Sequence, residues 1–400
     1  MAEVNGCCDP GFERVRDVLA ANIDGHAEIG AALFVSVHGR PVVDLWGGWR
    51  DVQRTIPWTA DTLVNVFSTT KDAVSLALLM LIDRGEVDPY APVIRYWPEF
   101  GQNGKQDVEV RHLLSHSSGV SGWEQPFSVE DHYDLEKSTA RLAAQAPWWE
   151  PGTASGYHAS NFGHLIGEVI RRVTGKTLGR FVTEEIARPL DADFHIGVDD
   201  ADFPRVAELN PPVGEEIPSV TPASLFPDLD SVFAKTIAGC MAGQTPNPAA
   251  TANTPEWRRA EIGGVNGHCS ARGLGRILTA VTNGGVAEGV RLLTPKTVDL
   301  IFEEQINTVD LVVGAPVRWG MGYALTPEDA SPTGDMTFLR PSERTCYWGG
   351  WGGSMGIMDV GRGVTVSYVM NQVQPMHSMN VLRAQYYDAI YTSLDETSVA

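Results

Sequence analysis

The stretch NVFSTTKDAVSLALLMLIDRG, residues 65–85, decides how this 400-residue chain is read. From Ala73 to Ile82 it is apolar apart from Ser75, the pattern of a helix buried on every side. Lys71 stands at the mouth of that helix, three residues after Ser68. This spacing sets both side chains on one helix face, a turn apart. A serine at a helix N-terminus meets the positive end of the helix dipole, which favours an oxyanion beside it. A lysine in a partly desolvated site is pushed toward its neutral form and can take or relay the serine's proton. The spacing alone decides nothing. With 22 serines and six lysines it arises by chance in roughly every third chain of this size. An ordinary helix-start serine with a lysine snorkelling to solvent looks the same.

Outward from this stretch, an amphipathic helix is expected over 10–23, with Phe12, Val15, Val18 and Leu19 on one face. Two β runs follow around His38-Gly39-Arg40-Pro41, a hairpin signal. The middle third reads as helices joined by irregular loops, among them VRHLLSHSSGV, TARLAAQAPWW and NFGHLIGEVIRRVTG. Residues 242–256, rich in Pro, Ala, Thr and Asn, read as a surface connector. A helix ending at Gly284-Gly285 and another opening at Thr294-Pro295 come next. The period then shifts toward two in RWGMGYAL, RTCYWGGWG, SMGIMDV and VTVSYVMNQV, an antiparallel meander, and NVLRAQYYDAIY closes the chain as a helix. The pattern predicts an α/β (α+β) fold whose antiparallel sheet is flanked by N- and C-terminal helices. The sheet domain draws on residues 1–85 and 257–400, and a mostly helical domain, 86–256, is inserted between them.

Composition narrows the function. A formal charge of −20 disfavours nucleic acid, whose phosphates need a basic face. No run of about 18 apolar residues suggests a membrane span. The start, MAEVNGCCDPGF, lacks the basic and apolar regions of a signal peptide. The five cysteines form an odd set without metal-ligand spacing, so reduced thiols and a cytoplasmic location are expected.

Two further segments bear on Ser68 and Lys71. PGTASGYHASNFGHLIGEVIRRVTG places Tyr157 in a loop directly before a helix. Beside a lysine its phenol could be held as phenolate and act as a general base. CYWGGWGGSMGIMDV places Trp348-Gly349-Gly350 on a strand, where glycines allow close backbone approach. That strand could present the Trp351 N–H, with the Ser68 N–H, to a developing oxyanion. Taken singly, Tyr157 could equally be a core tyrosine and the Gly-Gly pair a bulge.

In this order, Ser-x-x-Lys, loop tyrosine and Gly-Gly strand resemble the serine β-lactamase-like superfamily: class C β-lactamases, DD-peptidases and family VIII carboxylesterases. VDPYAPVIRYWPEF, VRHLLSHSSGV and PEWRRAEIGGVNGHCSARGLGRIL agree with it, so the resemblance covers nearly the whole chain. It implies Ser68 as the acylated nucleophile, Lys71 as its proton-relay partner and Tyr157 as general base and acid, with no cofactor and no metal. Trp348-Gly349-Gly350 takes the place of the Lys-Thr-Gly of β-lactamases. Two departures matter. Tyr157-His158-Ala159 lacks the asparagine that class C enzymes carry in third place, and Asn161 falls two positions late. Trp348 replaces the lysine that binds the β-lactam carboxylate, and family VIII esterases have a similar tryptophan there. Both departures favour a small-molecule carboxylic ester of short or medium acyl chain over an anionic antibiotic.

Rival readings remain. Amide hydrolysis, by a β-lactamase or D-amino-acid peptidase, and acyl transfer to an alcohol would use the same nucleophile. A binding protein that lost catalysis has no reason to keep Ser68, Lys71 and Tyr157 together. Ser354 lies in Gly-Gly-Ser-Met-Gly, a match to the lipase elbow, but strand rather than helix is expected after it. His112 and His116 have zinc spacing on a helix without a third ligand, and read as a structural pair near the domain junction. GGVNGH, residues 263–268, lacks the context of a phosphate loop. Trp123, Trp148 and Trp149 are candidates for the helical wall of the cleft. The physiological ester is not legible, and a homo-oligomer is left open.

Overall fold

His38 and Gly39 both hold positive φ, 49° and 76°, as a two-residue hairpin turn of matching twist requires. They join β2 (Gly30–Val37) to β3 (Arg40–Gly48), and β1 (Val4–Cys8) adds to the outer edge of β3. The computed structural model describes residues 3–212, 228–240, 248–327 and 342–397. The strands β9 (Ile306–Val309), β10 (Pro316–Trp319), β11 (Ala324–Leu325), β12 (Thr345–Gly349), β13 (Met355–Asp359) and β14 (Val364–Met370) come from the C-terminal third. Together the two groups form one nine-stranded sheet in the order β1-β3-β2-β14-β13-β12-β11-β10-β9, with every neighbour antiparallel.

Period-two alternation gives the sheet two buried faces. On one, Phe34, Ser36 and Thr365 meet the helix Ala271–Thr282, where Ser36 and Thr279 hydroxyls lie 2.9 Å apart. On the other, Tyr368 meets Glu28 and Tyr386 of the helix Met376–Thr397, which packs against the helix Glu13–Asp24. The layers are thus helix, sheet, helix. All seven residues of β14 are buried, as befits a strand covered on both sides.

The helix Thr70–Asp83 lies between sheet and helical region. Its residues from Thr70 to Leu81 are all buried. Tyr323 donates to the Asp72 carbonyl from the sheet side, and the helix Phe162–Thr174 packs on the other. It emerges from a small second sheet that the sequence does not announce: β4 (Val64–Asn65), β6 (Gly267–Cys269) and β5 (Phe194–Ile196). β7 (Val286–Ala287) and β8 (Val290–Arg291) form a separate pair.

One expectation needs correction. Within 242–256, the part up to 247 lies outside the described residues. From Pro248 the chain is helical over Pro248–Ala252 and Pro255–Arg259, the second capped by the Thr254 hydroxyl. Proline in the first turn opens these helices rather than breaking them. Among the described residues, no helix is long and apolar enough to cross a membrane.

Candidate active site

The chain leaves β4 at Asn65, turns through Val66–Thr69 and enters the helix at Thr70. Ser68 therefore stands just before the helix rather than on it, and Lys71 is its second residue. Phe67, immediately before Ser68, has φ 43°, an uncommon value for a bulky side chain. Surrounding contacts hold this turn. The Thr70 hydroxyl donates to the Phe67 carbonyl at 2.5 Å, and the Ser354 hydroxyl donates to the Val66 carbonyl at 2.8 Å.

Lys71 is buried, and its Nζ lies 3.1 Å from Ser68 Oγ, 2.7 Å from the Ala159 carbonyl and 2.7 Å from the Gly264 carbonyl. Burial lowers its pKa from the ordinary lysine value to about 7. A neutral amine has two N–H groups, which the two carbonyls take up, leaving the nitrogen lone pair for the Ser68 hydroxyl. Asp72 does not hold the amine as an ion pair. Burial drives its carboxyl well above the usual carboxylate range, and neither oxygen has a hydrogen-bond partner among the described residues.

Tyr157 lies over the amine, its ring centroid 4.6 Å from Lys71 Nζ. Its hydroxyl lies near Ser68 and accepts the Trp348 indole N–H at 2.9 Å. Burial pushes the phenol far above its ordinary value, against the opposing pull of Ser68 and Trp348. The expected phenolate is thus corrected: Tyr157 rests as a neutral phenol, and the group poised near neutrality is Lys71. A neutral amine 4.6 Å from the ring supplies no charge to offset the loss of water around a phenolate.

β12 carries Trp348 and Gly349 but ends there, so Gly350 and Trp351 belong to the turn that follows. The strand expected to hold all four residues is two residues shorter. Gly350 permits the turn to approach Ser68: a Cβ there would fall 2.1 Å from the Val66 carbonyl and 2.2 Å from Ser354 Oγ. Trp351 then meets the Phe67 ring edge-on at 5.1 Å. Among the described residues, neither the Ser68 nor the Trp351 N–H has an acceptor. From behind, the buried Arg383 guanidinium donates to the Gly353 and Ser354 carbonyls at 2.9 and 3.0 Å.

The rival constellations fall elsewhere. Ser354 is buried, also contacts the Thr69 hydroxyl at 3.0 Å, and runs straight into β13 with no helix. His112 and His116 do not pair. His112 Nδ1 accepts the Glu109 N–H, whereas His116 Nδ1 accepts the His158 N–H at 3.0 Å and its ring touches Tyr157. Among the described residues, no three His, Cys, Asp or Glu side chains cluster as metal ligands. Asn161 is buried and donates to the Val120 carbonyl. Trp123 belongs to the core, stacked on Phe127 at 4.2 Å, while Trp148 and Trp149 are half-buried. Sequence reasoning misses Asp310, Trp319 and Arg383, which lie far along the chain and carry no motif.

A match to the Beta-lactamase family spans residues 15–389. The esterase/beta-lactamase LipL of Mycobacterium tuberculosis is 35% identical, across 92% of this chain and 83% of that protein. A crystal structure of a family VIII carboxylesterase superposes with a TM-score of 0.88 at 37% identity, covering 98% of this chain and 100% of that one. A penicillin-binding protein homologue from Caulobacter crescentus follows with a TM-score of 0.84 at 32% identity, covering 98% and 100%. By its fold, the arrangement around Ser68 and these matches, the chain belongs to the Beta-lactamase family.

Proposed function

We propose that the protein is a serine carboxylesterase that hydrolyses small esters of short or medium acyl chain through an acyl-enzyme on Ser68. Neutral Lys71 takes the Ser68 proton as Oγ attacks the ester carbonyl. The Ser68 and Trp351 N–H groups, free of other acceptors among the described residues, receive the charge that develops on the carbonyl oxygen. The Tyr157 phenol, near Ser68 and lying over the amine, delivers a proton to the leaving alkoxide and is replenished from the Lys71 ammonium. Water then attacks the acyl-enzyme by the reverse relay.

The observation that carries the ester reading is Trp348. Its indole N–H supplies the hydrogen bond to Tyr157 but no positive charge. Uncharged aromatic rings near Ser68, Trp351 against Phe67 and Trp348 against Tyr157, suit an uncharged ester better than an anionic lactam. The similarity to proteins named esterase supports the same reading. Comparison of p-nitrophenyl butyrate with nitrocefin tests it. The ester is expected to be favoured by about 100-fold or more in kcat/KM. Equal turnover of the two would replace the ester reading with the amide-hydrolase one.

A further inference from the structure

Tyr157 sits in a segment without regular structure, between the turn at 151–154 and the helix that starts at Phe162. Neither a sheet ladder nor a helix holds its backbone, yet its phenol must stay within hydrogen-bond reach of Ser68. The Tyr157 N–H donates at 3.0 Å to Oδ1 of Asp310, a side chain with no exposed surface. Asp310 opens the turn between β9 and β10. The same oxygen accepts the Val312 and Val313 N–H groups, each at 2.9 Å, so the turn is wound around it. Its other oxygen accepts the Trp319 indole N–H at 3.3 Å. Trp319 in turn lies parallel to the Tyr157 ring, with centroids 6.2 Å apart, and against Trp348 at 4.8 Å.

Building on the role given to Tyr157 above, we infer that Asp310 is a positioning residue: one carboxylate fixes both the backbone of Tyr157 and the indole plate that its phenol lies against. Four N–H donors converge on its two oxygens, an acceptor set that a side chain of this size offers only as a carboxylate. It follows the edge strand β9, whereas Tyr157 lies before the helix Phe162–Thr174, so it also ties the segment of Tyr157 to the sheet. His116 holds the flanking residues, accepting the Gly156 N–H on its carbonyl at 2.9 Å and the His158 N–H on Nδ1. The Tyr157 N–H itself is left to Asp310.

A double-mutant cycle separates this from a merely structural role. Asp310→Asn keeps an oxygen for the three backbone donors but cannot accept from Trp319 through its amide nitrogen. It is expected to lower kcat about tenfold with KM nearly unchanged, within the 10- to 100-fold range of supporting residues around a reactive group. Trp319→Phe, which removes the donor from the other side, should lose less. In a Tyr157→Phe background, both substitutions should change kcat by less than about twofold, since no phenol remains to be placed. Losses that multiply with that of Tyr157→Phe would overturn the inference and leave the catalytic reading intact. A Tyr157→Phe enzyme as active as wild type would overturn both. If Asp310→Asn does not fold, the Trp319→Phe cycle decides on the same criterion.

Discussion

Lys71 is where burial is converted into chemistry. An exposed lysine is protonated at neutral pH and cannot take a proton from a serine. With its pKa lowered to about 7, a large share of the enzyme carries the free amine. Since the proposed mechanism needs the free amine, kcat/KM for a neutral ester should rise with pH and level off above an apparent pKa near 7. A profile that falls through pH 7 would place the base elsewhere. Ser68 and Lys71 are legible in the sequence because a polar pair heading an apolar helix is a local pattern. The protonation of Tyr157 is not, because it depends on what Trp348 and Trp319 remove from its water shell. Both lie more than 150 residues away. Asp310 is illegible for the same reason: one aspartate among many is marked only by the four N–H groups that the fold brings to it.

The turn after β12 depends on packing too tight for any side chain at Gly350. In Gly350→Ala the new methyl would meet the Val66 carbonyl and Ser354 Oγ, so the turn must withdraw and carry the Trp351 N–H with it. A shift on the order of 1 Å is worth about 100-fold in rate, and the expected result is a folded protein with kcat reduced by that order. Ser354→Ala makes the complementary case. It strips a buried partner from the Val66 carbonyl, at a cost of about 1–2 kcal/mol in stability by chemical denaturation. Its ester turnover should stay within about tenfold of wild type, whereas complete loss would revive Ser354 as the nucleophile. Sequence periodicity finds the long elements here, including the helix Thr70–Asp83 and the strands of the meander. It misses β1 and β4 to β9. Those with two to four residues are too short to show a period, and β1, VNGCC, has no alternation of apolar and polar residues.

At the scale of the molecule, both chain ends build the wall behind the site. Glu28 is fully buried between sheet and C-terminal helix, where it takes hydrogen bonds from the Tyr368 and Tyr386 hydroxyls. Burial raises its carboxyl to about 7 despite those bonds. A carboxyl raised on folding stabilises the native state at low pH, and that contribution is lost as pH rises from the unfolded value through about 7. Replacing it by an uncharged amide removes the dependence. The stability of Glu28→Gln relative to wild type should therefore increase between pH 5 and pH 8, by up to about 3 kcal/mol in denaturant titrations. A difference independent of pH would show that Glu28 does not titrate in this range. The antiparallel meander and the flanking helices are readable from period and capping signals. The order of the strands, with the first hairpin joined to β14, is set by how two buried faces are covered and has no local mark.

The central claim is that Ser68 is acylated. Treatment with a p-nitrophenyl alkylphosphonate, followed by peptide mass spectrometry and assay of residual ester turnover, tests it most directly. One adduct is expected, on Ser68, formed in step with loss of activity, and no labelling of Ser68→Ala. An adduct on Ser354, or full ester turnover by an unlabelled Ser68→Ala protein, would contradict it.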